Sequence, residues 1–206
     1  CSISGLGTVV TGTLNSGTIS PGDSLEILPA GVTARGREAQ VHDQQVTRVF
    51  AGQRVALNLA GINREQVPRG SVLGTPGLFR ATQRIDVQLQ LLPNVPWPLK
   101  FRDQVHFHLG TGRSVGRVVL LDREKMEGGE QALVQLTLYQ PVLAHRGDRF
   151  IIRSYSPMYT IGGGVVVDAE PQKHKRFRPG VTERLQELLS GDLGFWLQKL
   201  DEFQLA

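Results

Sequence analysis

Along most of the chain, apolar residues alternate with polar ones or gather in runs too short for a helix, and glycines or prolines interrupt them every few residues. Up to about Asp168 these runs are rich in Val, Leu, Ile and Thr, the period and composition of half-buried strands. The first series covers 7–14, 24–28 after the turn Pro21-Gly22-Asp23, 34–42, 53–60 and a short run at 71–73. Closely spaced strands with no helical period between them predict a small antiparallel β-barrel. A second series follows Thr75-Pro76-Gly77, at 84–92, 104–109, 114–121, 131–138, 149–154 and 164–167. Pro93, Pro96 and Pro98 exclude a central strand between Leu92 and Lys100, because proline lacks the ladder donor, so this segment reads as a loop returning Trp97 to the barrel. The charged stretch from Asp122 to Glu130 reads as a hairpin tip turned by Gly128 and Gly129.

After Asp168 the pattern changes. Lys173-His174-Lys175-Arg176-Phe177-Arg178 is a basic linker, and a helical period starts near Pro179, with Leu185, Leu188 and Leu189 on one face, Thr182 as N-cap and Gly191 as the stop. Trp196, Leu197, Leu200 and Phe203 form a second apolar stripe. Two short helices cannot bury both stripes by themselves, so they read as the start of a further domain. The expectation is a mainly β chain of two antiparallel β-barrels followed by a short helical segment: one barrel over 1–80, a second over 81–172, and the basic linker with the start of a helical domain over 173–206.

With 206 residues, 40% hydrophobic and 20% charged, the chain has the makings of a folded globular protein. Every apolar run is broken well before the roughly 18 residues of a membrane helix, and the first residues lack a signal peptide's basic and apolar regions. The one cysteine, Cys1, can form neither an internal disulfide nor a multi-thiolate zinc site. These features set a cytoplasmic location as the default. Net charge is only +4, yet five lysines among 23 basic residues leave 18 arginines, and the sequence pI is 9.6. A planar guanidinium suits phosphate and carboxylate, which raises nucleic acid as a partner beside the plainer alternative of a basic surface.

Sites for chemistry are sparse. Gly5-Leu6-Gly7-Thr8-Val9-Val10-Thr11-Gly12 fits neither a dinucleotide fingerprint nor a P-loop, and β-branched residues follow it where a phosphate site needs a helix. Gly162-Gly163-Gly164 fails in the same way and reads as a bend or bulge entering the last strand. His106 and His108 share one strand face, a pair a metal uses, but no spacing selects further ligands among His42, His145, His174 or the carboxylates. No hydrolase elbow, His-Glu-x-x-His or partnered cysteine is present, and Asp122, Glu124, Glu127 and Glu130 read as a solvated face. Neither a catalytic residue nor a metal site is expected in this chain.

The stretch Ser2 to Leu14, with Gly17-Thr18-Ile19, Pro21-Gly22-Asp23, Ala51-Gly52-Gln53-Arg54-Val55-Ala56-Leu57-Asn58-Leu59-Ala60-Gly61-Ile62 and Pro68-Arg69-Gly70-Ser71-Val72-Leu73, resembles the second domain of translational GTPases of the elongation factor Tu superfamily. Phe107-His108-Leu109-Gly110-Thr111, Gly116 to Asp122 and above all Ser156-Pro157-Met158-Tyr159-Thr160-Ile161-Gly162-Gly163-Gly164-Val165-Val166-Val167-Asp168 resemble the third domain of bacterial selenocysteine-specific elongation factors. The basic linker and helices are similar to that family's entry into a C-terminal winged-helix array.

The resemblance implies a tRNA-binding piece of a factor that delivers selenocysteinyl-tRNA to the ribosome at recoded UGA codons. The first barrel would hold the aminoacylated 3′ end and the second would support the acceptor and T stems. It places Arg54 at the position facing the esterified amino acid, His42 against the aminoacyl group and Gln40, on the same strand face by the period of two, near the terminal adenosine. For Arg54 the alternative is a plain surface ion pair. GTP and its Mg are implied only for a GTPase domain that would precede Cys1, with no cofactor in this chain. The selenocysteine-insertion mRNA hairpin would be bound by domains following Ala206, and no membrane is implied. Competing readings are an initiation-factor gamma or elongation factor Tu type GTPase, a barrel that binds protein and no RNA, and a metal hydrolase built on His106 and His108.

Overall fold

The computed structural model describes residues 2–3 and 7–191, and the chain falls into two compact units, Cys1–Ala81 and Thr82–Ala206. The second apolar stripe, from Trp196 to Phe203, lies outside the described residues.

The first unit contains β1 (Ser2–Ile3), β2 (Gly7–Thr13), β3 (Thr18–Ile19), β4 (Ser24–Leu28), β5 (Val32–Val41), β6 (Gln44–Val46), β7 (Val49–Phe50), β8 (Arg54–Ala60) and β9 (Val72–Gly74). Antiparallel pairing gives the order β1-β2-β8-β5-β4-β9, with β6 on the free end of β5 and β3 paired to β7 as a separate ribbon. Alternation decides which side of each strand is buried: Val55, Leu57 and Leu59 of β8 meet Leu25, Ile27, Ala34 and Ala39 in one core, which Ile19 and Val49 of the ribbon help to enclose. Each such aliphatic side chain stabilises the fold by about 1.5–3 kcal/mol on burial.

Two local features of β5 matter below. A register shift between Gly36 and Glu38 leaves Arg37 as an unpaired extra residue, so Arg35, Arg37 and Glu38 are all exposed while Ala34, Gly36 and Ala39 point inward. At its far end β5 stops at Val41, one residue short of the sequence expectation. His42 and Asp43, at φ 50° and 61°, form the two-residue turn that pairs Val41 with Gln44. A short 3-10 turn at Arg64–Gln66, pinned by the Asn63 N–H donating to Gln66 Oε1 at 2.7 Å, is the one helical turn described in this unit.

The second unit is a closed barrel. Its strands are β10 (Ala81–Leu91), β11 (Leu99–Lys100), β12 (Gln104–Leu109), β13 (Gly112–Leu120), β14 (Lys125–Met126), β15 (Gln131–Leu143), β16 (Arg149–Ser154) and β17 (Thr160–Asp168), and the ring runs β10-β15-β13-β12-β16-β17 back to β10. Phe107, Leu120, Leu136, Leu138 and Ile152 fill the interior. The stretch 122–130 is no free tip, because β14 pairs with β11, and a Cβ on Gly128 would meet the Pro93 carbonyl at 2.7 Å. β15 continues through Pro141, which lies beyond the last residue paired with β13 and so removes no donor from that ladder.

The triple glycine sits inside β17, not at its entry. A Cβ on Gly164 would fall 1.8 Å from the Gln88 carbonyl oxygen, and one on Gly163 2.6 Å from that of Phe150. Glycine is required there so that β10 and β16 can close against β17. Gly164→Ala is expected to destabilise the barrel by about 3 kcal/mol. At Gly12, where nothing lies within 4 Å, alanine should be nearly neutral. Denaturant titration of both variants tests the contrast; equal effects would refute it.

Beyond β17 the expected linker is bound to the barrel. Asp86, fully buried, accepts hydrogen bonds from Gln135 Nε2 at 2.8 Å and His174 Nε2 at 2.6 Å, while Gln135 also donates to the Gln172 carbonyl and accepts from the His174 N–H. Arg176 donates to the carbonyls of Leu120 and Arg123, pairs with Glu124 at 2.9 Å and lies between the Phe101 and Phe177 rings. Helix α1 (Val181–Ser190) then buries Leu185 and Leu188 against Leu121, Leu133 and Val167, so its stripe needs no further domain. Its N-cap is Gly180 at φ 82°, not Thr182, whose hydroxyl bonds the Glu183 carboxylate; Gly191 ends it at φ 70°, as expected.

Candidate nucleic-acid interface

Arg54, Ala56 and Asn58 form the outward side of β8. Cross-strand pairing sets Arg54 opposite Thr13, and Ala56 between Thr11 on β2 and Gln40 on β5, with Gln40 in turn opposite Gln45. Arg54 and Gln40 are therefore diagonal neighbours, about 7–8 Å apart by sheet geometry with their Cβ atoms somewhat closer. The floor of this patch is polar or small and carries no acid; Glu38, opposite Asn58, is the first carboxylate along the face. Among the described residues Arg54 has no ion pair, so the plain surface pairing is not found there.

The entry of Arg54 into the strand is fixed by the turn before it. Gln53 N–H donates to the Phe50 carbonyl at 3.2 Å, its side-chain Oε1 accepts the Phe50 N–H at 2.8 Å, and Gly52 supplies φ 87°. The Gln53 carbonyl also accepts the Leu14 N–H at 3.0 Å. His42 is not on the strand face with Gln40: its positive φ ends the alternation, and it stands exposed in the hairpin turn, two residues past the last β5–β8 pair. Thr11, Thr13 and Gln45 complete the patch and follow only once the strand register is known. At the other end of the face, the bulge turns Arg35 and Arg37 into an open groove of about 520 Å³ with Pro21, Gly22 and Ala60.

In the second unit the outer side of β12, β13 and β16 forms another such surface. Their sequences contain no acidic residue. His106 stands between Val115 and Arg153, His108 between Arg113 and Ile151, and Gln104 opposite Arg117. Tyr139 Oη accepts from Arg117 Nε at 2.9 Å and Gln104 Nε2 at 3.0 Å, and the Tyr155 ring stacks on His106 at 5.4 Å. Tyr155, Met158 and Tyr159 are exposed in the loop after β16, where Ser154 Oγ takes the Tyr159 N–H at 3.0 Å. Among the described residues Arg113, Arg117, Arg149 and Arg153 have no carboxylate partner. Guanidinium groups without carboxylate partners, interleaved with tyrosines, suit a phosphate backbone and its bases. Arg113 with Arg117, and Arg149 with Arg153, recur at even spacing along their strands, a signal that sequence reading passed over.

This setting suits a metal ion poorly. Burial first, then the charges of Arg153, His106 and Arg113, hold His108 below the usual histidine range, so it is neutral at pH 7, but a cation beside it would face those guanidinium groups. Among the described residues no group of three potential ligands is found. Nor do the glycine-rich segments fit a nucleotide: Gly7 to Gly12 lie in β2, laddered to β8, and Gly162 to Gly164 are pressed against neighbouring backbone. Among the described residues no helix is long and apolar enough to cross a membrane.

Comparison with known proteins adds names to this geometry. The family model for elongation factor Tu domain 2 matches residues 7–74, and that for the β-barrel domain of selenocysteine-specific elongation factor matches 82–173. Selenocysteine-specific elongation factors of Desulfomicrobium baculatum, Haemophilus influenzae and Escherichia coli are 39%, 34% and 33% identical to the chain over 172, 177 and 189 residues. These alignments cover 84%, 85% and 91% of this chain but only 27%, 28% and 28% of the relatives, so the chain spans little more than a quarter of their length. The crystal structure of translation elongation factor SelB from Methanococcus maripaludis, in its apo form, superposes with a TM-score of 0.71 at 25% identity, over 83% of this chain and 41% of that one.

Proposed function

The chain belongs to the selenocysteine-specific elongation factor family, and from that premise we propose that its two units hold selenocysteinyl-tRNA within a factor that carries it to the ribosome at recoded UGA codons. The observation that carries this reading is the acid-free patch around Arg54. A selenol is more acidic than a thiol and is ionised at neutral pH, so the esterified selenocysteine presents an anion where its serine precursor presents a neutral hydroxyl. Arg54, its backbone set by the Phe50–Gln53 turn and its guanidinium without a carboxylate partner among the described residues, offers that anion a complementary charge. Gln40, one diagonal step away, would face the terminal adenosine, with His42, in the adjoining hairpin turn, beside the aminoacyl group.

The second barrel's part is to grip the stem. Phosphate contacts by Arg113, Arg117, Arg149 and Arg153 fix register without reading sequence, which suits a factor whose discrimination is made at the 3′ end. GTP and its Mg would belong to a GTPase domain outside this chain.

The test uses the full-length factor with GTP. Arg113→Ala with Arg117→Ala should weaken selenocysteinyl-tRNA and seryl-tRNA alike, by roughly tenfold or more, and should reduce the salt slope of binding by about 2. Unchanged affinity and slope for both tRNAs would remove the barrel face from the interface.

A further inference from the structure

The segment 173–178 has an inner and an outer edge. His174 and Arg176 point inward, held by Asp86, by the Leu120 and Arg123 carbonyls and by Glu124, while Lys173, Lys175, Phe177 and Arg178 are exposed. What sequence shows as one basic run is thus sorted by its contacts into half-buried anchors and an exposed cationic edge. Among the described residues Lys173, Lys175 and Arg178 have no carboxylate partner. Between them stands Phe177, 55% exposed at φ 56°. A bulky residue in the left-handed region is rare, and here its N–H is committed to the Leu121 carbonyl at 2.7 Å. Its ring is backed by the Arg176 guanidinium, 4.7 Å from the ring centroid, which is itself seated 4.1 Å from the Phe101 centroid.

We propose that this outer edge is a binding site for unpaired RNA, with a base stacked on Phe177 and the flanking phosphates on Lys173, Lys175 and Arg178. An aromatic platform set among cations matches a nucleotide, which supplies a π-face and a negative charge at every step. An acidic peptide would use the cations and leave the ring idle. Because the anchors fix the backbone beforehand, little ordering is left for RNA to impose, which favours tight binding from few contacts. The site shares no residue with the Arg54 patch or with the face of β12, β13 and β16.

A labelled single-stranded RNA of about twelve nucleotides without secondary structure, titrated into the 206-residue chain by anisotropy across roughly 50–200 mM salt, tests it. Combining Lys173→Ala, Lys175→Ala and Arg178→Ala should weaken binding by about tenfold or more and flatten the salt slope by about 2. Phe177→Ala should cost roughly five- to tenfold and leave the slope unchanged. The same losses are expected in a background carrying Arg113→Ala and Arg117→Ala, which separates this site from the barrel face. Wild-type binding by the lysine and arginine variant would overturn the proposal. So would a loss confined to that variant with Phe177→Ala unaffected, since that describes bare electrostatics with no stacked base.

Discussion

His174→Ala is expected to destabilise the second unit by about 3–5 kcal/mol, because it leaves the Asp86 carboxylate fully buried with Gln135 as its one remaining side-chain donor among the described residues. Trp97 lies in this unit, so its fluorescence during denaturant titration reports on the unit. Acidity should modify the effect in a defined direction. Burial already pushes the Asp86 carboxyl up from its ordinary value, against the lowering effect of its hydrogen bonds to His174 and Gln135. Without His174 that opposition shrinks and the folded-state value rises further. Between the unfolded carboxyl's pKa, near 3.8, and the raised folded one, the native protein binds more protons than the unfolded chain, so stability is present at the acid side and is lost as pH rises. The variant should therefore recover part of its deficit when pH falls from neutral toward 5. A loss under about 1 kcal/mol, or no recovery in acid, would show that the network does not hold the segment.

Arg54→Ala should separate the two aminoacyl forms. In the full-length factor with GTP, loss of a charge-assisted contact to a selenolate should cost about 1.5–3 kcal/mol, roughly ten- to a hundredfold in affinity for selenocysteinyl-tRNA. Seryl-tRNA presents no anion at that point and should change far less. Arg54→Lys keeps the charge but not the planar fork, and should fall between. Since the stem contacts are electrostatic and independent of the amino acid, both complexes should still weaken steeply with salt. Equal losses for the two tRNAs, or none for either, would remove Arg54 as the discriminating residue, and the assignments of His42 and Gln40 would lose their anchor.

Strands were the legible part of this fold, because period-two alternation is a local signal: β12 and β16 run over the residues that the pattern marks. Ends were less legible where backbone geometry overrides side-chain pattern, as at His42, which continues the alternation on paper but occupies a left-handed turn. The Arg54 patch required more than motif matching. That Arg54 and Gln40 share a face follows from strand register, and register is settled by pairing partners far away in sequence. Least legible was the anchored segment. Its basic run has the composition of a linker, and nothing near residue 174 reveals that a carboxylate 88 positions earlier is buried opposite it. The helix start was misread for a related reason: Thr182 has the chemistry of a cap, but Gly180 supplies the conformation.

Closure of the second barrel through β10 and β17 also fixes an order of events during synthesis. The first unit's ladders are all made within 74 residues, so its sheet can assemble as soon as that stretch has emerged. β10, by contrast, waits for partners 71 to 82 residues downstream, Leu91 for Gly162 and Asp86 for Asp168. At about 5–20 residues per second that is a delay of roughly 4–16 s, during which one edge of β10 stays open on the nascent chain. Asp86 lies in that edge, and an ionised side chain there discourages pairing with strangers until His174 is made to cover it. The buried carboxylate that burdens the finished barrel thus guards the unfinished one.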